Sequence, residues 1–491
     1  MNSKDKQGWN FDNSYIKLPS ILYSLSVPTP VSKPDLLLFN DDLAKYLGIN
    51  FKNHDKEYLA QYLTGNMIIE GAQPLAQAYA GHQFGHFTKL GDGRAILLGE
   101  HINPEKIRFD IQLKGAGETQ YSRRGDGRAT LRSMLREYII SEAMHGLRIP
   151  TSRSLAVVTT GDEVYREQVH EGAILTRIAS SHIRVGTFEY ISNFLPVEIL
   201  KTFQSYVIQR HYPELVDTQN PSIELLKSVM LKQIDLVIDW MRVGFIHGVM
   251  NTDNMSIAGE TFDYGPCAFM NAYHPNTVFS SIDTQGRYAF GNQARIAHWN
   301  ITRFAETLIP LIHDNSSEAI QMAEDVLNSF PLIYNERWTR MMMSKIGIAL
   351  NINSSEEIFE LIEKLLAWMI AEKADYTNTF LQLTIKEENF KGIYASDDFK
   401  VWYNEWNLVL KKLGINHEMA IETMNYYNPQ FIPRNHIVEK ILDEVSNDRD
   451  FTLFNQTLAA LKNPYQYKVE YDFLRNTPTG SDLAYKTYCG T

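Results

Sequence analysis

The chain has 491 residues, of which 44% are hydrophobic and 21% charged, a composition typical of a folded protein that forms two to four domains or one bilobal enzyme with additions. Its formal charge of −11 argues against a surface that coats nucleic acid, although a local basic pocket for a nucleotide remains compatible with it. No run approaches the ~20 apolar residues of a membrane span, and no secretory signal is evident. Two cysteines cannot build a disulfide framework. The composition therefore predicts a reduced cytoplasmic enzyme without membrane or nucleic-acid partners.

The first 70 residues alternate proline-rich extended pieces with short helical ones. Each proline in VPTPVSKPDLLLF, residues 27–39, biases the residue before it away from helix. The residues Asn40-Asp41-Asp42 are candidates to cap a short helix over Leu43–Leu47 that ends at Gly48. This pattern predicts a wrapping N-terminal extension over residues 1–70 rather than an independent domain.

The next segment follows the order of a kinase N-lobe, in which a strand that ends in Lys precedes a helix that carries Glu. A strand of alternating apolar and polar residues leads to Lys114, and Glu137 lies among apolar residues of the next helix, where an unpaired charge would be costly. Lys114 would reach phosphates and Glu137 would orient it; the alternative is a surface Lys and a solvated Glu. The predicted elements are a strand–turn–strand from Pro74, a strand over Ile107–Leu113, a helix over Thr130–His145, and strands over Ser154–Thr160 and Gly172–Ile178.

Glycine-rich turns and two arginines are further candidates for phosphate binding. The string GDGR occurs at Gly91–Arg94 and again at Gly125–Arg128, but neither copy fits a Walker A or G-x-G-x-x-G motif. Its glycines would let backbone N–H groups approach phosphate oxygens, with Arg94 adding charge; ordinary hairpin turns are the alternative. Arg177 and Arg184 flank a Ser-Ser-His turn and could clamp phosphates, or could form ordinary surface ion pairs.

The stretch Gly244–Gly265, GFIHGVMNTDNMSIAGETFDYG, follows a long predicted helix over Ile223–Val243. It resembles the kinase signature H-R-D-x-x-x-x-N followed by D-F-G. His247 occupies the His position, Asn254 lies seven residues later at the Asn position, and Asp263 begins the counterpart of D-F-G. The stretch therefore predicts the part of a kinase-like site that holds a metal-bound nucleotide.

One position of this signature is altered in a way that changes the chemistry. The catalytic Asp, two residues after the His, is replaced by Val249, which cannot accept a proton. Asp253, Asn254 and Asp263 still predict a site for a divalent cation, because Mg²⁺ needs only one or two carboxylates besides phosphate oxygens and water. The sequence thus lacks the standard base for phosphorylating a hydroxyl.

Beyond Gly265 an irregular loop of about thirty residues lies where a kinase has its activation loop. From residue 300 to about 445 helices are predicted, one of them marked by a capping box of Ser354 with Glu357. The predicted fold is α+β and bilobal, protein-kinase-like, with an N-terminal extension and a large helical C-terminal region. Its predicted units are the extension (1–70), the N-lobe (71–180), the C-lobe with the metal site and activation-like loop (181–310), and the helical region with a cysteine-containing tail (311–491).

Long and unusual strings run along nearly the whole chain. They are FDNSY at Phe11–Tyr15, QAYAGHQFGHF at Gln77–Phe87, LGDGR at Leu90–Arg94, QLKGAGETQYSRRGDGRA at Gln112–Ala129, HGVMNTDNMSI at His247–Ile257, FDYGP at Phe262–Pro266, GRYAF at Gly286–Phe290, YNPQFIPRNH at Tyr427–His436 and the terminal YCGT. In these strings the chain resembles the selenoprotein O family, also called YdiU, of kinase-fold proteins.

The resemblance implies a kinase-like fold that binds ATP in an inverted orientation and transfers AMP, rather than phosphate, to Ser, Thr or Tyr hydroxyls of protein substrates. It implies Asp253 as the proton acceptor, and Asn254 and Asp263 as ligands of Mg²⁺ or Mn²⁺. In the inverted orientation the α-phosphate faces the hydroxyl, so a base placed for γ-transfer would be in the wrong position. The residues implied to bind ATP are Gly91, Gly93, Arg94, Lys114, Asp126, Gly127, Glu137, Arg177, Arg184 and Asp263.

Several alternatives stay open at the level of sequence. The chain could be a protein uridylyltransferase that uses Mn²⁺, a nucleotide-binding pseudokinase scaffold, or a kinase in which Asp253 serves the γ-phosphate; Asp253 could also help to place the metal. A monomer is expected. Some members of the family carry selenocysteine where this chain has Cys489, and Cys267 is the internal candidate for pairing with it. Some relatives carry a cysteine where this chain has Val278–Ser281, which argues against an internal disulfide.

Overall fold

A computed structural model of the protein describes residues 8–51, 55–83, 85–385, 387–478, 480, 482 and 485–487. Strands dominate the chain up to residue 179, and helices dominate the remainder. This arrangement confirms the predicted α+β fold with a large helical C-terminal region. The domain boundaries stay predictions.

Within the described residues, nine strands form one sheet: β1 (Tyr23–Leu25), β2 (Asp35–Phe39), β3 (Leu75–Gln83), β4 (His86–Gly91), β5 (Ala95–Ile102), β6 (Arg108–Lys114), β7 (Ala129–Thr130), β8 (Arg153–Tyr165) and β9 (Val169–Ala179). The strand order is β1-β3-β5-β6-β9-β8-β2, with β4 paired to β3 and β7 paired to β9. Because β1 and β2 lie at opposite ends of this order, the N-terminal segment contributes a strand to each end of the sheet. A separate pair consists of β10 (Phe245–Ile246) and β11 (Ala268–Phe269).

The helices of the described chain are α1 (Asp41–Leu47), α2 (Lys56–Thr64), α3 (Leu131–Gly146), α4 (Val185–Phe194), α5 (Val197–His211), α6 (Pro221–Val243), α7 (Gln293–Ile312), α8 (Ser316–Asn328), α9 (Phe330–Lys345), α10 (Glu356–Glu372), α11 (Tyr376–Gln382), α12 (Asp397–Lys412), α13 (His417–Tyr427), α14 (Asn435–Asp448) and α15 (Thr452–Leu461). None of the helices in this described part is both long and apolar enough to cross a membrane.

Side chains at the helix starts show which capping predictions hold. Of the three residues predicted to cap α1, Asn40 is the cap, and Thr130 caps α3. The predicted cap Ser354 is wrong, because α10 begins one residue later than the capping box requires. Ser355 is the cap, and its side chain accepts a hydrogen bond from the Ile358 N–H at 3.4 Å.

Apolar side chains cover both faces of the sheet. Successive strand residues point to opposite faces, so Leu97 and Leu98 of β5 belong to different cores. Leu98 packs in the smaller core with residues of α1 and α2, whereas Leu97 packs in the larger core with α3 and the C-terminal helices. The sheet is therefore buried between the N-terminal helices and the rest of the molecule.

The register of the central strands determines which polar side chains meet. Gln112 of β6 lies opposite Arg177 of β9. Since side chains two residues apart share a face of a strand, Lys114 lies on the same face as this pair. α3, which carries Glu137, packs against β8 and β9 and brings its carboxylate to Lys114 and Arg177.

The last described residues lie against the activation-like loop. Thr487 forms a parallel bridge with Ser280 and accepts a hydrogen bond from the Ser281 N–H at 2.9 Å. Cys267, near the start of this loop, is fully buried, and burial raises the pKa of its thiol to about 11. Cys489 lies outside the described residues, so its pairing with Cys267 stays untested.

Candidate active site

Lys114 and Glu137 form a buried ion pair. The Lys114 Nζ atom donates to Glu137 Oε2 at 2.6 Å, and both side chains are almost completely buried. The alternative of a surface Lys and a solvated Glu is therefore wrong. A buried ammonium is tolerated here because carboxylates surround it. Its position at the end of β6 brings the ammonium into contact with Asp263.

Arg177 and Arg184 extend this buried cluster. Arg177 lies on β9, where its guanidinium contacts Gln112 Oε1 at 3.1 Å and Glu137 Oε1 at 3.3 Å. Arg184 immediately precedes α4, and its Nη1 atom donates to the main-chain oxygen of Asp253 at 2.8 Å. Both guanidinium groups are buried, so the alternative of surface ion pairs is also wrong.

Asp263 is the carboxylate on which the three cations converge. Its Oδ1 atom lies 2.8 Å from Lys114 Nζ and 2.8 Å from Arg177 Nη1, and its Oδ2 atom lies 3.5 Å from Arg184 Nη1. Burial alone would raise the pKa of this carboxyl, but the three neighbouring cations hold it well below its usual range. Its backbone has a φ of 64°, an uncommon left-handed conformation for a residue other than glycine.

Asp253 lies in a short 3₁₀ turn, Thr252–Asn254, against the hairpin of β3 and β4. Its side chain is buried, its Oδ1 atom has no hydrogen-bond partner, and its Oδ2 atom lies 3.5 Å from the Gln83 amide nitrogen. Burial raises the pKa of this carboxyl to about 6. A β-carbon added to Gly81 would lie 2.3 Å from Asp253 Oδ1, so only glycine leaves room for the carboxylate there.

The backbone carbonyl of Val249, the residue at the position of the kinase base, orients the Asn254 side chain. Its Nδ2 atom donates to the Val249 carbonyl at 3.1 Å, which leaves the amide oxygen as the group able to bind a cation. In the described part of the chain no three His, Cys, Asp or Glu side chains form a closed metal cage. The pair of Asn254 and Asp263 stays a predicted metal site, in which Mg²⁺ would take its other ligands from phosphate and water.

The first GDGR turn packs closely against the following loop. A β-carbon on Gly91 would lie 2.3 Å from the Tyr121 ring, and one on Gly93 would lie 2.8 Å from the Tyr121 carbonyl oxygen. The Thr119 hydroxyl donates to the Asp92 carbonyl at 2.6 Å. These contacts explain why both positions are glycine, and a role in binding phosphate stays a prediction.

Asp92, between these two glycines, is a buried acid that the sequence analysis missed. Its Oδ1 atom lies 3.4 Å from Arg184 Nη2, and its Oδ2 atom accepts hydrogen bonds from the Gln77 N–H at 3.1 Å and from Gln112 Nε2 at 3.4 Å. Burial raises the pKa of this carboxyl. An acid flanked by two glycines is the sequence signal that marks this residue.

The second GDGR turn makes different contacts. Asp126 forms a two-pronged ion pair with Arg166 at 2.7 and 3.0 Å, in a half-exposed position. A β-carbon on Gly127 would collide with the Gly117 carbonyl, and its φ of 64° favours glycine. Arg94 precedes β5, and its carbonyl accepts the Gly115 N–H at 2.7 Å, beside Lys114. The structure thus brings together Lys114, Glu137, Arg177, Arg184, Asp253 and Asp263, whereas the Asp126 carboxylate engages Arg166.

Comparison with solved structures gives a remote similarity. ROP2 from Toxoplasma gondii, described as a virulence factor with a protein-kinase fold and no enzymatic activity, is 13% identical, with a TM-score of 0.23. The match covers 68% of this chain and 87% of that one. A similarity this weak transfers neither activity nor inactivity to the present protein.

Comparison with curated proteins gives relatives that match from end to end. The protein nucleotidyltransferase YdiU of Nitrosococcus oceani is 52% identical over 484 residues, which cover 99% of this chain and 98% of that protein. The YdiU protein of Bacillus cereus strain ATCC 10987 is 51% identical over 491 residues, the full length of both chains. The family model described as protein adenylyltransferase SelO matches residues 7–462. The predicted resemblance is thereby confirmed, and the chain belongs to the SelO family.

Proposed function

We propose that the protein transfers AMP from ATP to hydroxyl groups of Ser, Thr or Tyr side chains on protein substrates and releases pyrophosphate. The observation that carries this proposal is the convergence of Lys114, Arg177 and Arg184 on Asp263, beside the buried and unpartnered oxygen of Asp253. The names of the family and of its relatives support nucleotidyl transfer as the class of reaction. The choice of AMP rests on the description of the family.

The three cations are suited to a triphosphate. They all lie within 3.5 Å of one carboxylate, so they are close enough to one another to share a chain of phosphate groups. Arginine can hold two phosphate oxygens at once, and lysine adds a point charge. In this proposal Lys114, Arg177 and Arg184 bind the outer phosphates and stabilise the charge that develops on pyrophosphate.

Asp253 is the proposed proton acceptor. The substrate hydroxyl oxygen attacks the α-phosphorus, the bond from that phosphorus to the bridging oxygen breaks, and pyrophosphate leaves with the electron pair. The hydroxyl proton passes to Asp253 Oδ1. With a pKa of about 6 the carboxylate is largely ionised at neutral pH yet more basic than an ordinary aspartate, which suits a general base.

A divalent cation completes the proposed site. Mg²⁺ or Mn²⁺ held by the Asn254 amide oxygen and the Asp263 carboxylate would neutralise phosphate charge when bound. Asn254 is already oriented for this by its hydrogen bond to the Val249 carbonyl. Val249 itself excludes a second carboxylate from the place where a kinase carries its base.

The position of the transferred label tests the reaction. ATP labelled at the α-phosphate should mark a protein acceptor in the presence of Mg²⁺ or Mn²⁺, and ATP labelled at the γ-phosphate should not. Transfer of the γ-label alone would mean that the protein is a kinase, and binding of ATP without any transfer would mean a scaffold. UTP labelled at the α-phosphate, tested with each metal, measures the preference between AMP and UMP.

A further inference from the structure

The hairpin of β3 and β4 extends from the cation cluster past Asp253. Arg184 lies 4.2 Å from the centroid of the Tyr79 ring on β3 and donates to the main-chain oxygen of Asp253, whereas Gln83, nearer the tip of the hairpin, contacts the Asp253 carboxylate. The His82 N–H donates to the Thr252 hydroxyl at 2.9 Å, which fastens the hairpin to the turn that carries Asp253. Because the phosphates occupy the Arg184 side in the proposed function, an acceptor hydroxyl would approach along the hairpin.

Aromatic rings with cations stacked on them line this approach. The His82 ring meets the Trp299 ring edge-on with centroids 5.3 Å apart, and Arg287 and Arg303 lie 4.9 and 5.2 Å from the Trp299 centroid. Beside them, the ring of Phe87 on β4 stacks on the ring of Phe194 at the end of α4, with centroids 5.9 Å apart. Lys89 Nζ lies 5.3 Å from the Phe194 centroid. We call this surface the aromatic–cationic face; it consists of Phe87, Lys89, Phe194, Arg287, Trp299 and Arg303.

The face carries more positive than negative charge. Glu306 pairs with Arg303 at 2.6 Å, and Glu189 pairs with His82 at 2.6 Å. Glu189 is buried, and burial raises the pKa of its carboxyl to about 7, so it carries only part of a negative charge at neutral pH. The Asp283 carboxylate accepts the backbone N–H groups of Arg287 and of the next residue, and the buried Nε atom of Arg287 has no hydrogen-bond partner.

The exposed part of the face is apolar as well as cationic. Phe87 is 38% exposed and Phe194 is 47% exposed, on a protein whose net charge of −11 disfavours nucleic acid. Rings flanked by cations suit a ligand that offers apolar groups and carboxylates together. An extended protein segment with acidic side chains has that chemistry, and its backbone can follow the hairpin to Asp253.

Building on the proposed function, we propose that the aromatic–cationic face binds the acceptor segment of the protein substrate and selects segments with acidic side chains beside the modified hydroxyl. Arg287 and Lys89 would pair with these carboxylates, and Phe87 and Trp299 would contact the rest of the segment. The face would therefore determine which hydroxyls are modified, and the cation cluster would bind the phosphates of the nucleotide.

Acceptor peptides of equal length test this inference. Three versions place a single Ser between Asp and Glu residues, between Asn and Gln residues, or between Lys residues. We expect the wild-type protein to label the acidic peptide with the lowest KM. In R287E the KM for the acidic peptide should rise about tenfold and the KM for the lysine peptide should fall, because like charges repel and opposite charges attract. The KM for ATP should not change in R287E.

A matched control reverses a charge elsewhere. Arg340 is half exposed on α9 and pairs with Glu336, so R340E makes the same change in net charge far from the face and should leave all peptide KM values unaltered. Equal KM values for the three peptides with the wild-type protein, or an unchanged preference in R287E, would overturn the inference. The inference would also be overturned if a single-stranded RNA of similar length displaced the acidic peptide as effectively as unlabelled peptide does.

Binding measured without chemistry separates this inference from the proposed function. Fluorescence anisotropy of a dye-labelled acidic peptide should report tighter binding to the wild-type protein than to R287E. If no peptide is labelled by ATP but this difference in binding persists, the proposed reaction fails and the docking face stands. If labelling occurs without any difference among peptides, the reaction stands and the docking face fails. F194A, which removes an exposed ring without altering charge, should weaken binding of all three peptides.

Discussion

Asp253 combines two properties that rarely occur together in one residue. Its carboxylate is buried, and one of its oxygens has no hydrogen-bond partner. Burying a charged group without a partner is costly, so this residue lowers the stability of the fold while one of its carboxylate oxygens keeps its hydrogen-bonding capacity unused. That combination is typical of catalytic groups and explains why the pKa of this carboxyl is raised to about 6.

The first prediction concerns the Asp253→Asn variant. The amide cannot accept the proton of the acceptor hydroxyl, so kcat for α-label transfer should fall by about 10²–10⁴-fold, the usual contribution of a general base. ATP binding, measured by calorimetry, should change little, because Lys114, Arg177 and Arg184 remain. A variant with near-normal kcat would show that Asp253 does not accept the proton.

The second prediction uses the same variant to measure the cost of the buried charge. A carboxyl whose pKa is about 6 when folded and about 4 when unfolded binds its proton more tightly in the folded state, so its effect on stability is most favourable below pH 4 and is lost as the pH rises to about 6. Asp253→Asn avoids this loss. Urea unfolding without nucleotide and in chelator should find the variant more stable than wild type by on the order of 1–3 kcal/mol at pH 8. The difference should vanish below about pH 4, and equal stabilities at pH 8 would contradict the raised pKa.

The third prediction is the pH dependence of the reaction. Since the proposed base must be ionised, kcat should rise with pH through about 6 and level off above about 7. An ordinary aspartate would give its transition near pH 4. Initial rates of α-label transfer at fixed saturating ATP and metal would measure the profile, and a flat rate between pH 5 and 7 would count against Asp253 as the base.

At the scale of secondary-structure elements, the site depends on how closely the β3–β4 hairpin approaches the 252–254 turn. Gly81 allows this approach, because any side chain there would meet the Asp253 carboxylate. Gly186, in the first turn of α4, allows a second one: its β-carbon would lie 2.0 Å from the Ala80 carbonyl oxygen. The hairpin and α4 therefore hold the turn that carries Asp253 through close contacts that larger residues would prevent.

The fourth prediction is the effect of Gly81→Ala. The added methyl group forces the hairpin or the Asp253 side chain to move, so kcat should fall by about 100-fold, the order of loss expected when a reacting group is misplaced by about 1 Å. The KM for ATP should change less than kcat, because Lys114 and Arg177 lie on β6 and β9. Gly291→Ala, whose added carbon has its nearest neighbour at 3.2 Å, serves as a control and should be close to wild type. Equal activity of the two variants would refute the tight approach.

Element order in the sequence was sufficient to predict part of the site. A strand ending in Lys114 and a helix carrying Glu137 among apolar residues predicted their pairing, because such a charge needs a buried partner. The burial of Arg177 and Arg184 could not be predicted, since it follows from the register of β9 against β6 and from the start of α4, which are tertiary features. Asp126 had the same local sequence as Asp92, and only the fold distinguishes an acid held by Arg166 from one buried near Arg184.

At the scale of the whole molecule, the end of the chain fastens the activation-like loop. The Asp482 carboxylate accepts the backbone N–H groups of Asn271 and Ala272 at 2.9 and 2.8 Å. Tyr485 contacts Arg136 at 3.2 Å, one residue before Glu137. The tail thus contacts both the loop and the helix of the cation cluster, so its removal should affect a segment more than 180 residues earlier in the sequence.

The fifth prediction tests this connection. A protein truncated after residue 480 should show faster amide hydrogen exchange in residues 266–292, because the carboxylate and the backbone bonds that hold this loop are removed. Exchange in α6 should be unchanged, which provides an internal control within the same experiment. If the loop exchanges equally slowly in both proteins, its order comes from its own contacts rather than from the tail.

The three cations around Asp263 have a consequence for the order in which ligands arrive. Lys114 and Arg177 both contact the Asp263 Oδ1 atom, so a free divalent cation would have to compete with them for this oxygen. In the proposed function, a triphosphate would draw these cations to itself and release the carboxylate. Metal and nucleotide should therefore bind with positive and reciprocal coupling, each raising the affinity of the protein for the other. Such an enzyme would bind the metal–nucleotide complex as one ligand, and its activity would depend little on the concentration of the free metal ion.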